Sequence, residues 1–108
     1  MIYKPDKWLI IKYPYEGETV FRVFATWHGG YLNGDSWKLN SGITKTKYKD
    51  GLFSFHGESG SVYTCHENKY GSTGYGNTVL GNLIEKFKDL SVDVTILSKE
   101  DVNDLYKT

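Results

Sequence analysis

The Asp50-Gly51 dipeptide separates two runs of alternating residues in the segment ITKTKYKDGLFSFHG, residues 43–57. Asp-Gly favours the positive φ values of a two-residue turn, so the segment predicts a β-hairpin centred on Asp50-Gly51. The two-residue period of a strand places Lys45, Lys47 and Lys49 on one face. We interpret this lysine stripe as a solvated face or a protected sheet edge, because charged edges discourage pairing with another chain. A phosphate-facing stripe is the alternative.

Five further runs are rich in β-branched and aromatic residues and predict additional strands. They are KWLIIKY (7–13), VFRVFATW (20–27), SWKLN (36–40), SVYTCH (61–66) and VDVTIL (92–97). Turn-forming residues separate them, including Gly29-Gly30 and Asn33-Gly34. The spacing favours a mostly antiparallel sheet.

One long segment has helical rather than strand periodicity. Apolar residues share one helical face from Asn77 or Thr78 onward, namely Val79, Leu80, Leu83, Ile84, Phe87 and Leu90. This spacing predicts an amphipathic helix over about 78–90, and Ser98 predicts the N-cap of a short C-terminal helix. Together the elements predict an α+β fold, with a mostly antiparallel sheet of six or seven strands and the main helix packed on it.

Length and charge restrict the classes of function. A chain of 108 residues predicts a single domain, 1–108, with one modest core. Thirteen basic residues balance thirteen acidic ones, so we expect no bulk nucleic-acid binding and no membrane partner. One cysteine cannot form an internal disulfide, and the N-terminus lacks a signal-peptide pattern, so we expect a cytoplasmic protein. A sheet with one helix leaves an edge uncovered, which allows a homo-oligomer.

The stretch HGESGSVYTCHENKYGSTGYGNT (56–78) holds the only cysteine together with five glycines, three tyrosines and two histidines. Neighbouring strand residues point to opposite faces, so Cys65 cannot pair with His66 and would need His28 or His56 as a base. A metal site could use His28, His56, Cys65 and His66, but because Cys65 and His66 diverge, at most three of the four could bind one metal ion. Their spacing in the sequence is unlike that of compact zinc modules. We expect no catalytic residue, no metal and no cofactor.

Glycine-rich loops within this stretch suggest a different chemistry. YGSTGYGNT (70–78) runs into the helix, where free backbone N–H groups and the helix dipole favour an anion. The loop matches neither the Walker pattern nor the Rossmann fingerprint, so turns plus a helix cap are the plainer interpretation. HGESGS (56–61) adds hydroxyls and N–H groups, and the two loops would meet at one end of the sheet if the helix crosses it.

Two longer segments carry a resemblance to a known group of proteins. TWHGGYLNGDSWKLNSGI and FHGESGSVYTCHENKYG resemble small accessory proteins of tailed bacteriophages, in which Gly-Gly-Tyr, Asp-Ser-Trp, Asn-Ser-Gly-Ile and Ser-Gly-Ser-Val-Tyr recur. The likeness covers about residues 20–76 and brings no catalytic residues with it. It implies expression in host cytoplasm and a role against host enzymes or antiviral defence, including capture of nucleotide signals.

We therefore expect a non-enzymatic binding protein that captures a small anionic, nucleotide-like ligand. Aromatic rings would stack on the ligand, while hydroxyl, amide and loop N–H groups would hold its phosphates. The expected ligand-binding residues are Trp27, His28, Trp37, Ser59, Ser61, Tyr63, Tyr75 and Asn77. One alternative is an inhibitor that covers a host enzyme with a Tyr- and Trp-rich surface. A third is a Cys65-dependent enzyme.

Overall fold

The computed structural model describes residues 1–29 and 34–107. Eight strands lie in these residues: β1 Ile2–Tyr3, β2 Lys7–Tyr15, β3 Glu18–Trp27, β4 Ser36–Leu39, β5 Ile43–Lys49, β6 Leu52–Gly57, β7 Val62–His66 and β8 Thr95–Ile96. The helices are α1 Gly74–Asp89 and α2 Lys99–Tyr106, and a 3-10 turn spans Glu67–Lys69. This content confirms the α+β class. The expected turn residues 30 and 33 lie outside the described residues.

The strands are divided between two four-stranded sheets, one ordered β1-β7-β6-β5 and the other β4-β3-β2-β8. β1 pairs with β7 in parallel, and the other strand pairs are antiparallel. The predicted hairpin is confirmed, since Asp50 and Gly51 have φ values of 50° and 82° and join β5 to β6. β5 is the edge of the first sheet and exposes Lys45, Lys47 and Lys49, as expected for a protected edge.

An aromatic core joins the two sheets face to face. Trp8 on β2 packs against Phe53 and Phe55 on β6, with ring centroids 5.5 and 5.4 Å apart. α2 covers one side of this core by packing Tyr106 on Phe55, with ring centroids 5.2 Å apart. Ser98 caps α2 through a reciprocal capping box, as the sequence predicts.

α1 packs on the outer face of the second sheet, against an apolar cluster that includes Ile11, Tyr13 and Phe24. It begins at Gly74, several residues before the predicted start, because the Thr73 side chain accepts a hydrogen bond from Gly76 N. β8 is shorter than the predicted 92–97, since the N–H of Val92 instead donates to Phe87 O at the end of α1. No helix in the described residues has the length and apolar character needed to cross a bilayer.

The chain passes between the two sheets three times. Residues 4–6 lead from β1 in the first sheet to β2 in the second, and residues 40–42 lead from β4 in the second back to β5 in the first. The third passage leads from β7 to β8 by way of α1. A cavity lies beside the first two crossings, where Tyr3, Asn40 and Ser41 line it.

Candidate functional site

A basic cavity of about 310 Å³ lies beside the crossings at 4–6 and 40–42 and brings together residues from four separate stretches of the chain. We call it the basic cavity and define it by Tyr3, Arg22, Lys38, Asn40, Ser41, Ser59, Ser61 and Tyr63. As far as the described residues define it, its wall carries two cations, no carboxylate and three serine hydroxyls. This composition favours an anion.

Arg22 is held in place by the crossing at 40–42. Its Nε donates to the backbone carbonyl of Asn40, and its Nη1 donates to the Tyr13 hydroxyl at 3.2 Å. Within residues 1–29 and 34–107 it forms no salt bridge. A positioned guanidinium without a carboxylate partner has donors left for a bound anion.

Lys38 and two tyrosines form the opposite wall. Tyr3 on β1 and Tyr63 on β7 are register partners whose ring centroids lie 5.0 Å apart. Lys38 on β4 holds its Nζ 5.2 Å from the centroid of the Tyr3 ring. Burial, followed by the neighbouring Tyr3, raises the pKa of Tyr63, so its phenol stays protonated at neutral pH and can donate a hydrogen bond.

The turn at 57–61 supplies hydroxyls, but several of its backbone donors already have partners within the protein. The N–H of Ser59 donates to Ser41 Oγ at 2.9 Å, and the N–H of Glu58 donates to Gly42 O at 3.1 Å. The N–H of Gly60 donates to Gly57 O at 3.0 Å. We expected loop N–H groups to hold an anion. Because these three N–H groups already have partners within the protein, they are not free to do so.

Asn40 is the most buried polar residue of the cavity wall, at 2% exposure. Its side-chain oxygen Oδ1 accepts a hydrogen bond from Val23 N at 2.7 Å. The side-chain nitrogen Nδ2, which can only donate, therefore points the other way. Among the described residues Nδ2 has no hydrogen-bond partner. A buried donor without a partner is costly, so a group of this kind calls for an acceptor.

Two further grooves adjoin the basic cavity. An aromatic groove of about 510 Å³ shares Tyr3 and Lys38 with it and adds Trp27 and Trp37. Trp27 is fixed by an Nε1 hydrogen bond to Lys4 O at 2.9 Å, and Trp37 stacks on Phe24 with ring centroids 5.8 Å apart.

The second neighbour is an acidic groove of about 650 Å³, which shares Arg22 and Ser41 with the basic cavity. Three glutamates line it, Glu16, Glu18 and Glu58. Their charges repel an anion on this side. An anion therefore fits best toward Lys38, next to the aromatic groove.

The structure brings together five of the eight expected ligand-binding residues. Ser59, Ser61 and Tyr63 line the basic cavity, and Trp27 and Trp37 line the adjoining aromatic groove. The other three residues, His28, Tyr75 and Asn77, lie elsewhere.

His28, Tyr75 and Asn77 do not join the other five. His28 lies in a separate groove with His66, Lys7 and Lys69. Tyr75 and Asn77 belong to the first turns of α1, on the outer face of the second sheet, whereas the turn at 57–61 belongs to the first sheet. The expectation that the two glycine-rich loops meet is wrong, because one loop leads into β7 and the other follows its far end, so they lie toward opposite ends of that strand.

The geometry around Cys65 gives no support to thiol chemistry. Cys65 is fully buried in the core, whereas His66 is exposed on the opposite side of β7. Burial raises the pKa of the Cys65 thiol well above its ordinary value, which is the opposite of an activated nucleophile. Within residues 1–29 and 34–107 no group of three His, Cys, Asp or Glu side chains is arranged to hold a metal ion.

Sequence reasoning missed Tyr3, Arg22, Lys38, Asn40 and Ser41 as residues of the cavity. One signal was present, because Arg22 is the only arginine of the chain and shares its strand face with the apolar Val20 and Phe24. A charged group on an apolar face calls for a partner or a function. The other four residues carry no such signal.

No protein-family model, curated protein or solved structure matches this chain.

Proposed function

We propose that the protein binds a small anionic, nucleotide-like ligand in the basic cavity and does not turn it over. The observation that carries this proposal is the composition of the cavity lining. Arg22 and Lys38 line it together with three serine hydroxyls, and none of its described lining residues is a carboxylate. Charge-assisted hydrogen bonds from arginine and lysine are the usual means of holding phosphate.

The adjoining aromatic groove supports a ligand with a planar part. Lys38 and Tyr3 line both spaces, so a phosphate at Lys38 leaves its attached group beside Trp27 and Trp37. A nucleobase on an aromatic side chain gains about 1–3 kcal/mol from stacking. The glutamates of the acidic groove disfavour the opposite orientation of the ligand, in which its phosphate would lie on that side.

The resemblance to phage accessory proteins supplies the setting of the proposal. In host cytoplasm, a protein that binds a nucleotide signal lowers its free concentration by mass action, without any chemical step. Capture of a host defence signal is the role that we propose for the basic cavity.

A thermal-shift screen tests the proposal. The panel consists of nucleotides, cyclic oligonucleotides and ADP-ribose derivatives. A ligand at about a hundred times its Kd adds about 2.7 kcal/mol to the free energy of unfolding. In a domain of this size that raises Tm by about ten degrees or more.

Lys38→Gln and Arg22→Gln identify the site, with Lys47→Gln on the exposed edge strand β5 as the matched control. Loss of one charged hydrogen bond costs about 1.5–3 kcal/mol, so we expect each site variant to bind at least about tenfold more weakly. The control should bind as the wild type does. A ligand whose affinity is the same in all four proteins would refute the assignment to the basic cavity.

A flat response across the whole panel would refute the nucleotide proposal and favour the alternative of a protein inhibitor. Trp37 and Ile2, which line the aromatic groove, are 36% and 65% exposed and would then belong to the contact surface. In that case Trp37→Ala, and not Lys38→Gln, should abolish inhibition of the host enzyme.

A further inference from the structure

The edge strand β5 has backbone hydrogen-bonding groups without a partner. The two-residue turn at Asp50-Gly51 closes on Lys49 and Leu52, which are register partners and form a hydrogen-bonded pair. Such pairs alternate with non-bonded pairs along an antiparallel ladder, so Thr46 and Tyr48 form none with β6. Their N–H and C=O groups point outward from the sheet edge, where the described part of the chain gives them no hydrogen-bond partner. This edge can accept one more strand.

The outer face of β5, which is turned away from the second sheet, determines the charge of such a strand. Lys45, Lys47 and Lys49 are exposed on this face, and the seven residues of β5 include no carboxylate. Register partners share a face, so the outward residues of an added strand lie opposite these lysines. A second copy of β5 would place its own lysines there and is repelled. The stripe therefore protects the edge against basic strands and selects an acidic one.

An apolar groove lies beside the inner face of β5. We call it the edge groove; its volume is about 310 Å³, and its lining includes Phe21, Ile43, Thr46, Leu105 and Tyr106. The residue of an added strand that lies opposite Thr46 faces this groove, because register partners share a face. Leu105 on α2 is 50% exposed, so an apolar side chain at that position buries apolar surface. The added strand is therefore apolar on its inward side.

We propose that the free edge of β5 binds an extended segment of a partner protein in which acidic and apolar residues alternate. The segment adds to the first sheet as a strand and pairs with the backbone groups of Thr46 and Tyr48. Its carboxylates lie beside the lysines, and its apolar side chains face the edge groove. The edge groove shares no residue with the basic cavity, so this interaction is a second activity beside anion capture.

NMR titration with synthetic peptides tests the proposal. The probe is a capped peptide in which glutamate and valine alternate over the length of β5, and the control peptide has the same composition with the glutamates in one block. We expect the probe to bind at least about fivefold more tightly, because the block peptide loses cross-strand charge pairs. Bound probe should slow the hydrogen exchange of the Thr46 and Tyr48 amides. Equal binding of the two peptides, or no protection of these amides, would refute strand addition.

Two kinds of variant separate the backbone contribution from the charge contribution. Thr46→Pro removes an outward N–H that β6 does not use, a position where an edge strand tolerates proline, so it should fold and lose the probe. If it does not fold, Lys45→Gln/Lys47→Gln keeps the test and should bind the probe about fivefold more weakly at low salt. Lys86→Gln/Lys88→Gln removes the same charge from α1 and is the matched control. Equal effects of the two double variants would mean that net charge alone attracts the probe.

The remaining outcomes concern the partner and the basic cavity. A wild-type dimer that Thr46→Pro converts into a monomer would show that a second copy fills the edge, and would overturn the proposal. Lys38→Gln should leave probe binding unchanged, and Lys45→Gln/Lys47→Gln should leave nucleotide affinity unchanged. If Lys38→Gln weakened the probe as the β5 variants do, the probe would be bound elsewhere and the edge assignment would fail.

Discussion

The turn at 57–61 and the helix start at 73–76 are both rich in glycine, and in each a glycine permits a close approach to a different kind of neighbour. At Gly57 the missing side chain lets the turn lie close to the crossing at 40–42, since a Cβ there would stand 2.9 Å from Ser41 Oγ. At Gly76 it allows α1 to approach the second sheet closely, since a Cβ there would stand 2.6 Å from Thr26 Cγ2 and would overlap Ser72 Oγ. The first close approach joins polar groups in the wall of the basic cavity, and the second closes the interface between a helix and a sheet.

This difference teaches that the surroundings of a glycine, and not its density in the sequence, indicate its role. The atoms nearest to a Cβ at Gly57 would be a hydroxyl, an amide nitrogen and a carbonyl oxygen. The space at Gly76 is filled by a methyl group and two hydroxyls of its own cap and sheet. Substitutions should therefore separate ligand affinity from stability.

Gly76→Ala should have the largest effect on stability. The added methyl group overpacks the contact between α1 and Thr26, so we expect a loss of about 1–3 kcal/mol in the free energy of unfolding. Gly81→Ala is the matched control on the same helix, where nothing lies within 4 Å of the new Cβ. It should gain about 0.5–1 kcal/mol. Urea denaturation measures both, and equal effects would show that α1 does not depend on this close approach.

Thr73→Ala and Ser59→Ala should have smaller effects than Gly76→Ala. The first should lower stability alone, and the second should lower nucleotide affinity alone. Thr73 Oγ1 accepts from Gly76 N at 2.9 Å, so its loss should lower stability by about 1 kcal/mol and leave nucleotide affinity unchanged. Ser59 is exposed, so its loss should change stability by less than about 0.5 kcal/mol but weaken nucleotide binding. Denaturation and calorimetry on both variants check this. If Thr73→Ala weakened binding as Ser59→Ala does, the two segments would share a site after all.

Glu67 lies between the two glycine-rich segments and should produce the smallest effect. It accepts a hydrogen bond from the Tyr48 hydroxyl at 2.8 Å and pairs with Lys107 Nζ at 2.9 Å. The hydrogen bonds from Lys107 and Tyr48 lower the pKa of Glu67. A lowered folded-state pKa stabilises the protein above the unfolded-state pKa, and that stability is lost as the pH falls through the folded-state value.

The difference in urea midpoint between the wild type and Glu67→Gln should therefore be present at pH 7 and shrink below about pH 4, the unfolded range of a glutamate. Nucleotide affinity at pH 7 should be equal in the two proteins. A difference that stays constant down to pH 3 would mean that the carboxylate charge of Glu67 contributes nothing.

Local patterns were sufficient for several elements. The Asp50-Gly51 hairpin, the lysine-bearing edge strand and the capped C-terminal helix follow from interactions between residues close in sequence, and all three are confirmed. The opposite orientations of Cys65 and His66 follow from the two-residue period of a strand in the same way.

Boundaries that depend on tertiary contacts were not predictable. Gly74 and Gly76 disfavour a helix by propensity, yet α1 starts at Gly74 because of the Thr73 cap and the packing on Thr26. The segment 92–97 has strand propensity throughout, but only Thr95–Ile96 pairs with β2. Val92 and Val94 instead pack into the apolar cluster beneath α1.

The sequence by itself determined the α+β class, the hairpin and the helical faces, because each arises from a period of two or 3.6 residues along a short segment. Only the tertiary structure decided that there are two sheets, and that the chain crosses between them at 4–6 and 40–42. The basic cavity exists because of these crossings. It joins Tyr3, Arg22, Lys38 and Tyr63, which lie up to 60 residues apart and share no local pattern.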